Sequence, residues 1–269
     1  TVNCDCSDDG HLHHIWVEAD NAGPGVTITT YTKEQTNWWS KTRWHHIWTL
    51  LTKGYVEYES CIILGDQQAL NYADALNFFL WLDLIDNYDT KVFIAGNHDR
   101  WMQNKPEVAK EYLAEYKTIE YLQDEDLVLY YDGYNGDHPE DNVRIYGSPW
   151  QPEFYNWAFN LVRGSEEMKA KWDAIPSNTD ILVTHGPPFE YLDIPGGHTI
   201  RVGCETLRFR IDEIRPKIHV FGHIHGSYGY YYNGHTHFFN ASVLDERYQY
   251  TNLPFNFEWD NITNEIKWK

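Results

Sequence analysis

The stretch KIHVFGHIH (217–225) decides the fold class, because a mostly apolar strand ends there directly at side chains that can bind metal. Ile218–Phe221 has the length and composition of the buried strands of α/β proteins. Gly222 stops the strand, and His223 and His225 follow it. Ligands of open α/β sheets bind outside the carboxyl ends of the strands. The stretch therefore predicts a buried strand with a binding site at its end.

Three earlier runs show the same pattern. Glu59–Leu64, Lys91–Ala95 and Ile181–Thr184 read as buried strands that end at Gly-Asp, Gly-Asn-His-Asp and His-Gly, respectively. Apolar residues at helical spacing separate the strands in the first half of the chain, and this alternation indicates parallel pairing. We therefore expect polar residues that are distant in sequence to converge at one edge of a sheet.

The predicted fold class is α/β, a sandwich of two mixed β-sheets flanked by helices. Further strands at 237–241 and 255–259 make the second half strand-rich, which predicts the second sheet. No long Pro- or Gly-rich linker divides the chain, so residues 1–269 are predicted to form a single domain. Within it, residues 12–58 read as an aromatic-rich insertion with a helix, placed between the first two polar motifs.

The charge balance restricts the partners. Lys and Arg number 21 against 40 Asp and Glu, so the formal net charge is −19 at pH 7. Such a chain repels a polyphosphate backbone, and neither long nucleic acid nor an anionic membrane surface is an expected partner. A small anionic substrate requires a local reversal of this field.

Cysteine usage and hydropathy favour a cytoplasmic protein. The four cysteines form no disulfide framework and no Cys-x-x-Cys pair, as is usual in a reducing compartment. No apolar run approaches the roughly 18 residues of a membrane span, and no signal peptide pattern is visible. We expect a cytoplasmic location.

The polar residues at the strand ends are carboxylates, imidazoles and one amide. This set suits a pair of transition-metal ions, since one carboxylate can bridge two ions and the pair can clamp a phosphoryl group. Each signal is weak alone, because Gly-Asp is common in turns and a buried histidine usually has only a structural hydrogen bond. In this order, each after a buried strand, they predict a metal site. The residues are Asp8, Asp9, His11, Asp66, Asn97, His98, Asp99, His185, His223 and His225.

The order of these motifs resembles that of the calcineurin-like metallophosphoesterases: Asp-x-His, Gly-Asp, Gly-Asn-His-Asp, His and Gly-His-x-His. The stretches at 144–164, 180–188, 201–207 and 215–229 look like the MPPED-type branch, which is similar to class III cyclic-nucleotide phosphodiesterases. The resemblance implies the calcineurin-like sandwich and a dinuclear metal centre. Some members of the branch carry Gly at the first His of the last motif, which weakens their metal site, whereas this chain has His223.

The resemblance also implies the metal ligands. Three side chains would hold one ion, three would hold the other, and one carboxylate would bridge them: Asp9, His11 and His225 for the first, Asn97, His185 and His223 for the second, and Asp66 between the two. The expected cofactors are two divalent or trivalent transition-metal ions. Manganese is the ion expected to work in vitro, and iron, zinc and nickel are alternatives.

Two neighbouring residues carry the catalytic roles that the resemblance implies. His98 would face the phosphate and protonate or stabilise the leaving oxygen, and Asp99 would orient His98 or a neighbouring ligand. The nucleophile would be a hydroxide that bridges the two metals and attacks in line. No covalent Ser or Cys nucleophile is then needed, and Cys204 is expected to be structural.

The first motif departs from the family pattern. The family has Ser-Asp-x-His after the first strand, but Ser7-Asp8 is followed here by Asp9 and Gly10. Asp9 with His11 keeps the Asp-x-His spacing at the cost of a one-residue shift. Asp8 stays as the alternative ligand.

The expected function is hydrolysis of small, nucleotide-like phosphodiesters. A phosphomonoesterase or protein phosphatase, and a catalytically weak scaffold with the same fold, are the alternatives. The partner is then a small phosphate ester, and the oligomeric state stays open, a homodimer included. Other polar residues have structural interpretations: Arg201 as a phosphate contact or an ion pair, and His235-Thr236-His237, which mimics the last motif, as surface of a hairpin.

Overall fold

A computed structural model describes the chain in several stretches. The predicted strand at 59–64 and the helical part of the predicted insertion lie outside them. The chain divides into two compact units, the smaller made of Thr1–Glu57, Cys61–Val92 and His98–Glu120, and the larger of Tyr58–Ser60, Phe93–Asn97 and Tyr121–Lys269. The described residues are 14–19, 26–31, 79–80, 82–84, 88, 90–129 and 142–269.

The smaller unit contains a hairpin and short helices. Strands β1 (His14–Ala19) and β2 (Val26–Tyr31) pair antiparallel, so the predicted insertion begins with a hairpin. Strand β3 (Lys91–Phe93) pairs with β4 (Ile119–Tyr121), and helices α1 (Arg100–Asn104) and α2 (Pro106–Leu113) lie between them in sequence. Pro106 opens α2, where its missing N–H leaves no helical hydrogen bond unmade.

The larger unit is built on a six-stranded mixed sheet with two helices in its connections. Helix α3 spans Glu166–Asp173 and α4 spans Glu205–Ile214. Two-stranded sheets are formed by β7 with β8 and by β13 with β14. The strands are β5 (Glu125–Leu129), β6 (Val143–Ser148), β7 (Gln151–Pro152), β8 (Asn160–Leu161), β9 (Ile181–Thr184), β10 (Ile218–Phe221), β11 (Gly229–Tyr232), β12 (His237–Asn240), β13 (Phe257–Asp260) and β14 (Glu265–Trp268).

The centre of the large sheet is parallel and its edges are antiparallel. The order is β11-β12-β10-β9-β6-β5, with β12, β10, β9 and β6 parallel to one another. Edge strands β11 and β5 run antiparallel to their neighbours. Parallel strands need a crossover, and α3 lies between β6 and β9 in sequence, as α4 does between β9 and β10. The carboxyl ends of four central strands therefore share one edge.

Packing of the two helices fixes the sheet. Ser165 caps the N-terminus of α3, and its hydroxyl accepts a hydrogen bond of 3.1 Å from the Met168 amide. Side chains from both helices pack with residues of the central strands in one buried core. Its members include Met168, Trp172, Leu182, Leu207, Ile211, Phe221 and Phe238.

The mixed α/β class is confirmed, and the two strands that carry the best-defined motifs were predicted to the residue. Observed β9 and β10 have the predicted bounds, Ile181–Thr184 and Ile218–Phe221. The predicted strand Lys91–Ala95 is shorter, because pairing with β4 ends at Phe93. The prediction of a single domain stays a prediction.

Candidate metal centre

Two histidines leave adjacent parallel strands at the same edge. His185 follows β9 directly, and His223 follows β10 after one glycine. The Gly222 amide donates to the His185 carbonyl oxygen at 3.0 Å, which ties the two exits together. His223 has a φ of 68°, in the left-handed region that non-glycine residues adopt at a cost of about 1 kcal/mol or more. Such strain is concentrated at functional sites.

Asn97, His185 and His223 bring their side-chain donor atoms together. Asn97 Oδ1 lies 2.7 Å from His185 Nε2, and His185 Nε2 lies 3.1 Å from His223 Nδ1. Asn97 and His185 are buried, with 3% and 2% of their surface exposed. Two ligand atoms bound at right angles about 2.1 Å from one ion lie about 3.0 Å apart. The three predicted ligands of the second metal therefore have the spacing of a common coordination sphere.

The chemistry of these three atoms also fits a cation. His185 Nε2 carries either one proton or one lone pair, whereas Asn97 Oδ1 presents only lone pairs. A single proton between His185 Nε2 and its two close neighbours, Asn97 Oδ1 and His223 Nδ1, can form a good hydrogen bond in only one of the two contacts. The other contact then brings two electron-rich atoms together. A positive ion bound by all three would remove that repulsion. The donor set of neutral imidazoles and an amide oxygen suits a divalent transition metal.

His225 is held in the tautomer that a ligand requires. It opens a short 3₁₀ turn, His225–Ser227, and its Nδ1 lies 2.9 Å from the Asp245 carbonyl oxygen. A carbonyl oxygen only accepts, so Nδ1 carries the proton and Nε2 carries the lone pair. Metal-bound histidines are commonly oriented by such a backbone contact. The Tyr248 ring meets the His225 ring edge-on, with centroids 5.3 Å apart.

The loop after His225 requires glycine. A Cβ at position 226 would lie 2.1 Å from the Gly196 amide nitrogen and 2.5 Å from its Cα. The Gly196 amide in turn donates to Glu246 Oε1 at 2.7 Å. The backbone of Gly226 packs directly on the backbone of Gly196, so any side chain at position 226 would displace the loop that carries His225.

Thr184, the residue before His185, forms hydrogen bonds with Gly186 and His219 that hold this end of β9. The Thr184 hydroxyl donates to the Gly186 carbonyl oxygen and lies 2.8 Å from His219 Nε2. Its single proton is used, so His219 Nε2 must donate to it. Complete burial lowers the pKa of His219 to about 3, and it is neutral at physiological pH. Its Nδ1 is buried and has no hydrogen-bond partner in the part of the chain that the structure describes. The sequence analysis missed this role, and the only signal was a histidine inside an apolar strand.

The segment after β6 positions Asn97. The Ala158 amide donates to the Asn97 carbonyl oxygen at 2.8 Å. Gln151, 1% exposed, donates through Nε2 to Asn160 Oδ1 at 3.0 Å. A Cβ at Gly186 would lie 3.7 Å from Gln151 Cβ, so this segment also lines the loop of His185. Neither Gln151 nor Asn160 was identified from the sequence.

The remaining predicted site residues stay predictions. Asp8, Asp9, His11 and Asp66 lie outside the described residues. His98 is half-buried and Asp99 is buried at the start of α1, where the Asp99 carbonyl oxygen accepts from Met102 and Gln103. Both belong to the smaller unit. Among the described residues, no three His, Cys, Asp or Glu side chains are placed to hold a metal ion. The third donor beside His185 and His223 is the side-chain amide of Asn97.

The structural interpretations of other polar residues are now decided. Arg201 Nη1 lies 2.6 Å from Asp193 Oδ1, and Asp193 is fully buried, so Arg201 forms an ion pair. The Trp172 indole donates to the Cys204 sulfur at 3.3 Å, and this buried free thiol is structural. His235 is exposed as predicted, but the surface assignment of His237 is wrong. His237 lies in β12 with 4% of its surface exposed, because β12 is an interior strand of the sheet.

Comparison with known proteins gives a family and a fold. The family model described as calcineurin-like phosphoesterase matches residues 15–227. Human metallophosphoesterase domain-containing protein 1 is 36% identical over 203 residues, 68% of this chain and 58% of that protein. The Caenorhabditis elegans UPF0046 protein T07D4.2 is 36% identical over 192 residues, 64% of this chain and 47% of that protein. The chain thus spans about half the length of these relatives.

Two further findings bear on the fold and on membranes. A solved crystal structure aligns with a TM-score of 0.53 at 15% identity, over 75% of this chain and 73% of its own. At that identity the likeness shows a shared fold alone. Within the described ranges, every helix is too short or too polar to cross a membrane.

Proposed function

Because the chain belongs to the calcineurin-like phosphoesterase family, we propose that it is a metal-dependent hydrolase of small, nucleotide-like phosphodiesters. The family resemblance indicated by the motifs is thereby confirmed, including the likeness to the MPPED-type relatives. The observation that carries the proposal is the convergence of Asn97, His185 and His223 within 2.7 and 3.1 Å. Bound metal ions would supply positive charge for the phosphoryl group and acidify bound water.

The residues of the chain have distinct roles in this proposal. Asn97, His185 and His223 would hold one ion, and Asp9, His11 and His225 would hold a second, with Asp66 shared and Asp8 as the alternative to Asp9. His98 would give a proton to the leaving oxygen, and Asp99 would orient it. The supporting contacts of Thr184, His219 and Ala158 keep the ligands in place before substrate arrives, which lowers the reorganisation needed during the reaction.

The charge balance favours a small substrate. A net charge of −19 repels a long polyanion, while two bound ions would make the site locally positive. We therefore propose no long nucleic acid and no anionic membrane as partner. This leaves phosphate esters whose negative charge is confined to the group that enters the site.

The first experiment compares a diester with a monoester. Purified protein with added Mn²⁺ should hydrolyse bis-p-nitrophenyl phosphate faster than p-nitrophenyl phosphate. The reverse order would favour a phosphomonoesterase. No bound metal in elemental analysis, with no activity upon manganese addition, would make a catalytically weak scaffold the better description.

Two substitutions separate metal binding from proton transfer. His98→Ala should lower turnover by roughly 10²–10⁴ and leave the metal content unchanged. Asp66→Ala should lower both. The exposed His235→Ala is the matched control and should alter neither quantity. Full activity of Asp66→Ala would remove the shared-carboxylate mechanism.

A further inference from the structure

Two exposed aromatic side chains and a half-buried one form a cluster in the turn between β7 and β8. This aromatic cluster consists of Phe154, Tyr155 and Trp157. The Phe154 ring centroid lies 4.4 Å from that of Tyr155 and 5.4 Å from that of Trp157, and Tyr155 and Trp157 are 5.5 Å apart. Phe154 is 51% exposed and Tyr155 is 72% exposed. Exposed aromatic side chains that contact one another offer a contiguous apolar surface to a ligand.

Hydrogen bonds hold the backbone of the turn that carries the cluster. Tyr155 has a φ of 50°, and Asn160 Nδ2 donates to the carbonyl oxygens of Phe154 and Tyr155 at 3.2 and 2.9 Å. Gln151 Nε2 fixes the Asn160 amide from the buried side at 3.0 Å. The Glu153 amide closes the turn on the Leu161 carbonyl oxygen at 2.8 Å. A surface that is ordered before binding loses little conformational entropy when a ligand arrives.

The same segment carries the contact to Asn97. Trp157 precedes Ala158, whose amide donates to the Asn97 carbonyl oxygen. Consecutive Cα atoms are about 3.8 Å apart, so the Tyr155 and Ala158 Cα atoms are at most about 11 Å apart. Through the Ala158 amide, the Tyr155 Cα atom therefore lies at most about 16 Å from the carbonyl oxygen of Asn97, a predicted metal ligand.

We propose that the aromatic cluster binds the nucleobase of the substrate by stacking, while the metal centre holds its phosphate; this rests on the proposed phosphodiesterase function. Residues 151–160 contain one charged side chain, Glu153, and no Lys or Arg, so the segment suits a neutral ring and not a phosphate. Stacking on aromatic side chains accepts every base and is insensitive to net charge. Three rings offer far less than the roughly 800 Å² per partner of a stable protein interface.

The test compares two substrates with the same leaving group. Thymidine 5′-p-nitrophenyl phosphate carries a base, and methyl p-nitrophenyl phosphate does not. For Phe154→Ala and Tyr155→Ala, kcat/KM on the thymidine ester should fall about 5- to 100-fold, mainly through KM. The methyl ester should react at the wild-type rate. Phe209→Ala removes a ring that is 71% exposed on α4 and is the matched control, with no expected change for either substrate.

The outcomes distinguish the cluster from the proposed function. Equal losses on both esters would mean that the substitutions act by displacing Asn97, and unchanged kinetics would mean that the rings do not touch the substrate; either result overturns the proposal. Tyr155→Phe, which keeps the ring, should retain wild-type values. If the wild-type protein hydrolyses neither ester, the function fails, and calorimetric titration with AMP still tests the cluster, since Phe154→Ala should weaken AMP binding by a similar factor. A Phe154→Ala protein that binds AMP as tightly as wild type would overturn the proposal. A change of oligomeric state in Tyr155→Ala would also overturn it, because the rings would then belong to a protein interface.

Discussion

Two His-x-His sequences of the chain, His223-Ile224-His225 and His235-Thr236-His237, begin twelve residues apart and lie at opposite ends of neighbouring strands. His223 and His225 follow the carboxyl end of β10, whereas His237 is the first residue of the parallel strand β12 and is paired with Ile218, the first residue of β10. Four residues of strand span about 10 Å, so the two motifs lie on different edges of the sheet. Spacing alone does not distinguish them.

The two motifs also differ in the hydrogen-bond partners of their histidines. His237 Nδ1 lies 2.8 Å from the Tyr230 hydroxyl and Nε2 lies 2.9 Å from the Asn264 carbonyl oxygen, so both nitrogens are used by the protein. His225 has a carbonyl oxygen at Nδ1, and His223 Nδ1 meets His185 Nε2. His237 is therefore held by a hydroxyl and a carbonyl oxygen, whereas His223 lies against another predicted ligand.

The largest expected effect separates the two motifs directly. His223→Gly removes a ligand and suits the φ of 68°, so the fold should persist while activity falls by more than the roughly 10–100-fold typical of outer-shell changes. His237→Phe should keep metal content and activity but lower the melting temperature, because the Tyr230 hydroxyl and the Asn264 carbonyl lose their partner. Elemental analysis and thermal denaturation of both variants check this. Metal loss in His237→Phe alone would reverse the comparison.

The next largest effect is expected from the backbone of the loop that carries His225. Gly226→Ala places a methyl group 2.1 Å from a backbone nitrogen and should destabilise the His225 loop by about 1–3 kcal/mol or more, with weaker metal binding. Gly186→Ala is the matched control, because its Cβ would meet only Gln151 Cβ at an ordinary 3.7 Å. Equal metal affinities in the two variants would show that the His225 loop is not fixed by this contact.

Support beneath His185 should have a smaller effect. Thr184→Val removes the hydroxyl that bonds Gly186 and His219, and metal affinity should fall about tenfold. Thr184→Ser keeps the hydroxyl and should restore it. Metal titration monitored by calorimetry measures both. A loss in the serine variant as large as that in the valine variant would assign the effect to packing.

Stability is also expected to depend on pH, because of the buried His219. Burial holds the pKa of His219 at about 3, below its unfolded value of 6.5, and burial also lowers the pKa of His237. Below pH 6.5 the unfolded chain takes up protons that the folded chain does not. The free energy of unfolding should therefore fall as pH drops from 6.5 toward 3, by up to about 1.4 kcal/mol per pH unit from His219. Urea denaturation at several pH values measures how the free energy of unfolding changes with pH. This pH dependence should be weaker in His219→Phe, and an unchanged pH dependence would contradict the prediction.

Sequence patterns predicted β9 and β10 to the residue because each is a short, mostly apolar run that stops at polar residues. They also predicted that His185 and His223 lie together, since β9 and β10 are parallel and end at one edge. Asn97 joins them from β3, which pairs with β4 outside that sheet. The patterns failed for His237, because alternation along a hairpin does not say which strand becomes interior. Gln151, Asn160 and His219 were missed because their importance comes from contacts with residues far away in sequence.

The sequence by itself determined the family, the α/β class, the acidic charge and the residue types of the predicted metal site. Each of these depends on local composition or on motif order, which the chain carries without folding. The tertiary structure decided which hydrogen-bond partners each histidine has, because partners such as the Asp245 and Asn264 carbonyls approach only after the sheet forms. It also decided that Phe154 and Tyr155, ordinary aromatics in the sequence, stay exposed on the segment that contacts Asn97.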